Sequence, residues 1–329
     1  MNVIIIPAFN PDTKLIELVS SLKNNNIIVI DDGSTSKDIF DSLEDMGIIV
    51  IHHPYNMGKG CAIKTGIKEA NKYYKNINAF ITADADGQHS KEDIINIYNM
   101  ESNDIIFGTR DFKGRVPLRS KIGNKFSSLF LYFNTGMKLN DTQTGLRRFP
   151  YKYRKYLLDI PGDRFEYEMN VLNKLAKDKI IIKTVPIKTI YENNHTSHFH
   201  TVKDSLRIYH NFFKYVLVAL LSAIIDLTLF TILIKSKTIL ISTIIARIIS
   251  GTFNFTMNKS YIFKSNNNML YELIKYIVLF ITCMFSSAFL VKLITILKIN
   301  TTLIKAFVDI LLFITNYFIQ KHYIFKNRN

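Results

Sequence analysis

Tryptophan is absent from the 329 residues, and cysteine occurs only at Cys61 and Cys283. Two thiols so far apart exclude a disulfide framework and any cysteine-rich zinc module. Glycine and proline are sparse, at 13 and 7, which excludes collagen-like and Pro/Gly-rich fibres. Acids are scarce in one region. Between residues 209 and 329 stand only Asp226, Glu272 and Asp309, against 13 Lys and Arg. The first 208 residues hold the other 24 of 27 acids and 29 of 42 bases, close to charge balance. No basic stretch precedes the apolar run 3–6, which is too short for a signal-peptide core and ends at Pro7. The N-terminal part is therefore expected to stay in the cytoplasm.

What is present points to two domains. The length is about twice that of a usual single domain, and 48% hydrophobic residues suffice for a packed core. Most of the +15 formal charge lies in the last third, between long apolar runs. A nucleic-acid-binding protein would not place its basic excess there. The pattern matches the cytoplasmic flanks of membrane spans, so the lipid bilayer is an expected partner and nucleic acid is not.

In the first half, short apolar runs at 3–6, 27–30, 48–51, 79–82 and 105–107 alternate with helix-like stretches such as 13–23 and 60–74. Strands apolar on both faces, separated by helices, predict βαβ units and a mostly parallel, buried sheet. Ligands bind such sheets beyond the strand C-termini. There stand Asp31-Asp32-Gly33-Ser34 and Asp84-Ala85-Asp86-Gly87.

The second half carries four apolar runs at about 212–234, 239–257, 274–297 and 302–319, each near the ~20 residues that cross a bilayer. An even number of spans returns the C-terminus to the side of the N-terminus. Lys259, Lys264, Lys275, Lys321, Lys326 and Arg328 fall on that side, so both are expected to be cytoplasmic. Residues 202–216 alternate as an amphipathic helix suited to the membrane interface. The expected domains are thus 1–200, a linker at 201–211, and a membrane part at 212–329. The membrane part repeats itself: Asn254-Phe255-Thr256-Met257-Asn258-Lys259-Ser260-Tyr261-Ile262-Phe263-Lys264 is echoed by Asn316-Tyr317-Phe318-Ile319-Gln320-Lys321-His322-Tyr323-Ile324-Phe325-Lys326, 62 residues on. A helix pair used twice in the same orientation follows. Asp226, Arg247, Lys305 and Asp309 fall inside the spans, where they either pair structurally or line a polar path.

Two carboxylates on a tight turn after a strand, Asp84 and Asp86, can grip Mg²⁺ or Mn²⁺ and leave other positions to water and phosphate oxygens. A carboxylate at the end of the second strand, Asp31 or Asp32, can accept from a nucleobase or ribose; a plain turn with a helix cap at Ser34 or Thr35 would explain the same residues. Asn56-Met57-Gly58-Lys59-Gly60 opens a helix but lacks the spacing of a nucleotide-triphosphate loop. Glu166 and Glu168 stand at a helix start, as sugar-hydroxyl contacts or as acids favouring the helix dipole. His195, His198 and His200 read as a surface loop rather than a zinc site.

Together with Pro7-Ala8-Phe9-Asn10, Gly108-Thr109-Arg110 and Asp141-Thr142-Gln143-Thr144-Gly145-Leu146-Arg147, these motifs make residues 1 to about 200 resemble family-2 glycosyltransferases of the GT-A fold. The resemblance is to the branch with dolichyl-phosphate mannose synthase and polyprenyl-phosphate glucosyltransferases. Pro11-Asp12 stands where that family usually leads to a Glu. Residues 209–326 resemble the GtrA-like four-helix membrane family. The expected fold is an α/β GT-A domain followed by an all-α membrane domain. The resemblance implies a nucleoside-diphosphate sugar, UDP-glucose or GDP-mannose in type, held by Pro7, Ala8, Asn10, Asp31, Asp32, Gly58, Lys59, Ala85 and Gln88, with metal on Asp84 and Asp86. It implies a polyprenyl phosphate acceptor and inversion in a single displacement. Such a phosphate is already a dianion at neutral pH, so it needs no general base. It needs a cationic clamp, for which Arg110, Arg119 and Arg147 are candidates, with Ser197 on the acceptor side. A processive polysaccharide synthase is disfavoured because its Gln-x-x-Arg-Trp motif requires the missing tryptophan. A lipid-sugar transporter with an inactive head is the other alternative, and the intact Asp84/Asp86 pair argues against it. The sequence allows a homo-oligomer without demanding one.

Overall fold

The computed structural model describes residues 1–111, 116–188, 209–294 and 300–326. The chain divides into two compact units, Met1–Ile208 and Tyr209–Asn329.

The first unit is built on strands β1 (Asn2–Ala8), β2 (Ile27–Asp31), β3 (Ile49–His52), β4 (Ala79–Thr82), β5 (Ile105–Arg110), β6 (Arg147–Pro150) and β7 (Ile182–Ile187). Their order is β3-β2-β1-β4-β6-β5-β7. Neighbours run parallel except at β6, which is antiparallel to β4 and β5. The helices are α1 (Lys14–Ser21), α2 (Asp38–Asp45), α3 (Lys59–Tyr73), α4 (Lys91–Asn99), α5 (Leu118–Thr135), α6 (Arg154–Asp159) and α7 (Glu166–Lys177). This is the GT-A type of α/β fold expected above.

Alternation along β1 explains the layers. Val3 and Ile5 pack with Ile63 and Ile67 of α3 and Leu172 of α7. Ile4, Ile6 and Ala8 pack on the other face with Leu15 of α1, Phe40 of α2 and Ile94 of α4. Both faces are covered, and each buried aliphatic side chain contributes about 1.5–3 kcal/mol. The chain runs from β1 outward to β2 and β3, then returns to β4 on the other side of β1. This reversal opens a crevice beyond the C-terminal ends of β1 and β4.

The second unit holds α8 (His210–Leu233), α9 (Ile239–Met257), α10 (Met269–Ile294) and α11 (Thr301–Ile319). Four helical segments, His210–Leu233, Ile239–Ile262, Met269–Ile294 and Leu303–Ile324, are long and apolar enough to cross a membrane, with mean hydropathy between 1.4 and 2.5. Their outer sides expose Leu217, Leu220, Ile224, Ile248, Phe285 and Phe289, a surface that suits hydrocarbon and not water. The third helix begins at Met269, not 274, because the Asn268 side chain accepts the Leu270 and Tyr271 N–H groups (2.9 and 3.2 Å).

Each repeat ends in a π-helical turn, Asn258–Ile262 and Gln320–Ile324. The equivalent residues of the two turns meet: Asn258 Nδ2 donates to Gln320 Oε1 at 3.1 Å. Gln320 Nε2 then donates to the Tyr215 hydroxyl (3.1 Å), and the Tyr276 hydroxyl to Asn254 Oδ1 (2.7 Å). The charges inside the spans also have partners. Asp226 accepts from Ser250 at 2.9 Å and lies 3.5 Å from Arg247 Nε. Asp309 accepts from Ser287 at 2.7 Å and pairs with Lys305. Of the interfacial stretch 202–216, only Tyr209 onward is described. His195, Ser197, His198 and His200 lie outside the described residues.

Candidate active site

The loop after β3 is held from β2. Asp32 accepts the Met57 N–H at Oδ1 (2.9 Å) and the Gly58 N–H at Oδ2 (2.8 Å), and His53 Nδ1 lies 2.8 Å from Oδ1. Gly58 has φ +104°, and Asp163 and the Arg164 side chain fill the space a Cβ would need, so only glycine fits. Arg164 bonds Asn56 Oδ1 at 2.9 Å from outside. The result is a rigid launch for α3, whose first residue is Lys59.

Lys59 Nζ lies 2.7 Å from Asp84 Oδ1 and 3.0 Å from Glu168 Oε2. Burial pulls its ammonium toward neutrality, but Asp84 and Glu168 outweigh that and hold its pKa well above the usual lysine value. Burial likewise pushes Asp84 up, and Lys59 and His89 outweigh it, so Asp84 is firmly ionised. His89 Nε2 is 3.5 Å from Asp84 Oδ2, and this buried ring has no hydrogen-bond partner at either nitrogen. Asp84 sits where a Cβ on Gly145 would go, and the Gly145 carbonyl is pinned by the Thr82 hydroxyl at 2.8 Å. Asp86 is open to solvent and accepts the Gln88 N–H at 3.0 Å. Desolvation beside the loop and the Asp84 charge push its carboxyl up.

Among the described residues no three His, Cys, Asp or Glu form a ready-made metal cage. The donor set nonetheless fits Mg²⁺ or Mn²⁺. Two adjacent carboxylates at a strand end, with the remaining positions left to phosphate oxygens and water, is how such ions bind at phosphate sites.

The other flagged residues divide. Asp31 is fully buried and accepts from Ser34 N–H (2.8 Å), His52 Nδ1 (2.8 Å) and Lys37. Burial pushes its carboxyl up, but Lys37, His52 and Ser34 hold it at about 2. Both Asp31 and Asp32 are thus engaged with their own chain. Asn10, at φ +45°, accepts from Thr35 N–H (2.8 Å) and donates its own N–H to Ser34 Oγ (2.9 Å); neither Ser34 nor Thr35 caps α2. Pro7 and Ala8 end β1, and Ala85 lies between the two carboxylates.

Two of the three arginines expected as a phosphate clamp are occupied. Arg147 is 2% exposed. It donates to the carbonyls of Thr144 (2.9 Å), Thr142 (3.3 Å) and Glu168 (3.3 Å) and lies over the Phe107 ring at 4.8 Å. Arg147 braces the 141–146 loop and sits 3.6 Å from the Glu168 carboxylate. Arg110 grips Asp141 in a two-pronged pair at 2.7 and 3.0 Å, fixing the other end of that loop. Arg119 is the second residue of α5, and its side chain lies outside the described part, as does Ser197. Of the two helix-start acids, Glu166 accepts the Asp163 and Arg164 N–H groups (both 3.2 Å) and closes its own turn. Glu168 is the one that reaches the site. Its spacing from Glu166 turns it to another face of α7, but only the tertiary fold shows which face meets Lys59.

Comparison with known proteins adds to this geometry. The family described as Glycosyl transferase family 2 matches residues 3–157, and GtrA/DPMS, transmembrane domain, matches residues 214–325. An uncharacterized protein of Methanocaldococcus jannaschii is 36% identical over 200 residues, 57% of this chain and 81% of its own length. UDP-N-acetylglucosamine–dolichyl-phosphate N-acetylglucosaminyltransferase of Methanococcus voltae is 33% identical over 216 residues, 57% of this chain and 85% of its own. Among solved structures, glucosyl-3-phosphoglycerate synthase from Mycobacterium tuberculosis aligns with a TM-score of 0.47 at 13% identity, over 65% of this chain and 77% of that one.

Proposed function

The chain belongs to glycosyl transferase family 2 and joins to that domain a GtrA/DPMS-type multi-pass membrane domain, and from this premise we propose that it transfers a sugar from a nucleoside diphosphate to a polyprenyl phosphate at the cytoplasmic membrane face. The observation that carries the proposal is the Asp84/Asp86 pair at the sheet edge, with Lys59 and Glu168 around it, in a chain that also has four membrane-capable helices. The Methanococcus voltae relative, which by its name uses a dolichyl phosphate acceptor, supports the lipid acceptor. The same name makes UDP-N-acetylglucosamine the first donor to test, ahead of UDP-glucose and GDP-mannose.

Asp84 and Asp86 would hold a Mg²⁺ or Mn²⁺ ion, which when bound neutralises charge on the departing diphosphate. Lys59 supplies a second positive charge beside it. Asp32 and Gly58 fix the loop that presents Lys59, and Arg110 and Arg147 fix the loop that keeps Asp84 in place. No residue need take a proton from the acceptor, whose phosphate is ionised at neutral pH, with a second pKa near ~6. Orientation and desolvation of the attacking oxygen are the chain's contribution, and attack from the face opposite the diphosphate inverts the anomeric centre.

The test is a transfer assay with the full chain in detergent, undecaprenyl and dolichyl phosphate as acceptors, and the three labelled donors. Label should enter the lipid phase with one donor, only with a divalent cation. Hydrolysis of donor with no lipid product for any pair would overturn the acceptor assignment.

A further inference from the structure

We propose that Lys59 is a resident counter-ion of Asp84 that yields this carboxylate to a divalent cation, while Glu168 keeps the displaced ammonium in the site to meet the diphosphate. Cation and diphosphate then bind as a linked pair. The inference rests on the reading of Asp84 and Asp86 as metal ligands and adds an exchange between Lys59 and that metal.

The geometry leads here in three steps. First, Lys59 Nζ is 2.7 Å from Asp84 Oδ1 while the second oxygen faces His89 Nε2 at 3.5 Å, so Oδ1 is an oxygen for which a cation at the Asp84/Asp86 turn competes with Lys59. An ammonium and a divalent ion cannot both touch it, because like charges at contact distance in a partly desolvated cleft repel strongly. Second, the lysine cannot simply leave. Its side chain is 17% exposed, and its backbone is fixed: the Gly58 N–H is bound to Asp32 (2.8 Å) and the Cys61 N–H to the Asp163 carbonyl (2.8 Å). Only side-chain rotation is open to it. Glu168 Oε2, already 3.0 Å away, is the anion that retains it, and Arg147 at 3.6 Å holds Glu168 in turn. Third, the charges do not balance without a ligand. Asp84, Asp86 and Glu168 face Lys59 and Arg147, one negative charge in excess. A divalent ion turns that into one positive charge in excess, which suits a diphosphate. The His89 ring, 4% exposed and unpartnered at both nitrogens, faces the second Asp84 oxygen at 3.5 Å.

Glu168 is a positioning residue in this account, since it acts through Lys59. The exchange predicts that removing the lysine charge frees Asp84 for the cation before any nucleotide arrives.

Binding of Mn²⁺ to the purified full chain, read from the electron paramagnetic resonance of the free ion, tests this without turnover. Lys59→Met should bind Mn²⁺ about tenfold more tightly than wild type in the absence of nucleotide. The further tightening produced by UDP or GDP should shrink by about the same factor. Lys59→Gln, which keeps a hydrogen-bonding group for Glu168, should shift in the same direction and replaces the methionine variant if that one misfolds. Lys64→Met removes the same charge further along α3, where Lys64 meets the Gly162 carbonyl, Asp163 and the Tyr167 ring but neither Asp84 nor Glu168; it should stay within about twofold of wild type. Equal affinity in wild type and both Lys59 variants, or an equal shift in Lys64→Met, overturns the exchange and leaves the metal reading standing. Unchanged Mn²⁺ affinity in Asp86→Ala overturns the metal reading itself.

Discussion

Gly145→Ala is the sharpest perturbation the site offers, because it adds one methyl group to Asp84 and little else. A Cβ on Gly145 would overlap the Asp84 carboxylate at all three of its terminal atoms. The backbone cannot yield, since the Gly145 carbonyl accepts from Thr82 at 2.8 Å and Leu146 carries the next link, its carbonyl accepting the Gly108 N–H at 2.9 Å. Gly145 is also not among the residues with positive φ, so alanine adds no backbone strain. Asp84 must therefore rotate away by roughly 1 Å or more, a displacement that costs about 10²-fold in a positioned reaction. With part of the metal's charge stabilisation lost as well, kcat/KM should fall about 10²- to 10³-fold, or ~3–4 kcal/mol. Stability should change by no more than ~1–3 kcal/mol, a few degrees of Tm in a unit of this size. Gly66→Ala adds the same methyl against the Ile5 side chain in the core and should show the opposite partition: lower Tm, near-normal kcat/KM in the folded fraction. Both are measured by donor-dependent transfer alongside thermal melting. Wild-type kcat/KM in Gly145→Ala would refute the placement of Asp84 in the chemistry.

Other outcomes follow from the same contacts. Arg147→Met should destabilise the first unit by about 3–5 kcal/mol, because it leaves the Glu168 carboxylate and the carbonyls of Thr142, Thr144 and Glu168 without their buried partner; urea melts measure it. Asp31, held at about 2 against an ordinary 3.8, contributes stability that is complete above pH ~4 and lost as pH falls toward 2. Asp31→Asn should flatten acid unfolding in that window, and an unchanged acid profile would contradict its pairing with Lys37 and His52. In the membrane unit Glu272 is fully buried against Lys259, Ser265 and Asn267. Glu272→Ala should cost about 3–5 kcal/mol, seen as a lower melting temperature in detergent without change in Mn²⁺ affinity.

The parts of this architecture legible in the sequence are those governed by local pattern. The apolar runs of β1, β2 and β4 announce buried parallel strands, and the repeated Asn254 and Asn316 segments announce a duplicated helix pair. β6 is hidden because Arg147-Arg148-Phe149-Pro150 looks like a solvent-facing stretch. All four residues are buried, since Arg147 finds carbonyls and the Phe107 face, and Arg148 finds the Ser102 carbonyl. No periodicity encodes such long-range compensation. β7 is hidden by Pro186, which its position at the edge of the sheet tolerates. In the site, carboxylates at strand ends are readable from turn chemistry. Whether an arginine clamps a ligand or braces a loop is not, because Asp141, 31 residues away, decides it for Arg110. Glu168 is indistinguishable from Glu166 in the sequence; α7 turns one toward Lys59 and leaves the other to close the turn before the helix.

The most direct measurement is sugar transfer to polyprenyl phosphate by Asp86→Ala beside wild type, titrated with Mn²⁺ after chelation. Wild type should be silent in chelator and recover with the metal, while the variant stays at least about 10²-fold below it at every concentration with its fold and membrane insertion intact. A variant that charges the lipid at the wild-type rate, or a wild type indifferent to chelator, would contradict the claim that this carboxylate pair carries the reaction.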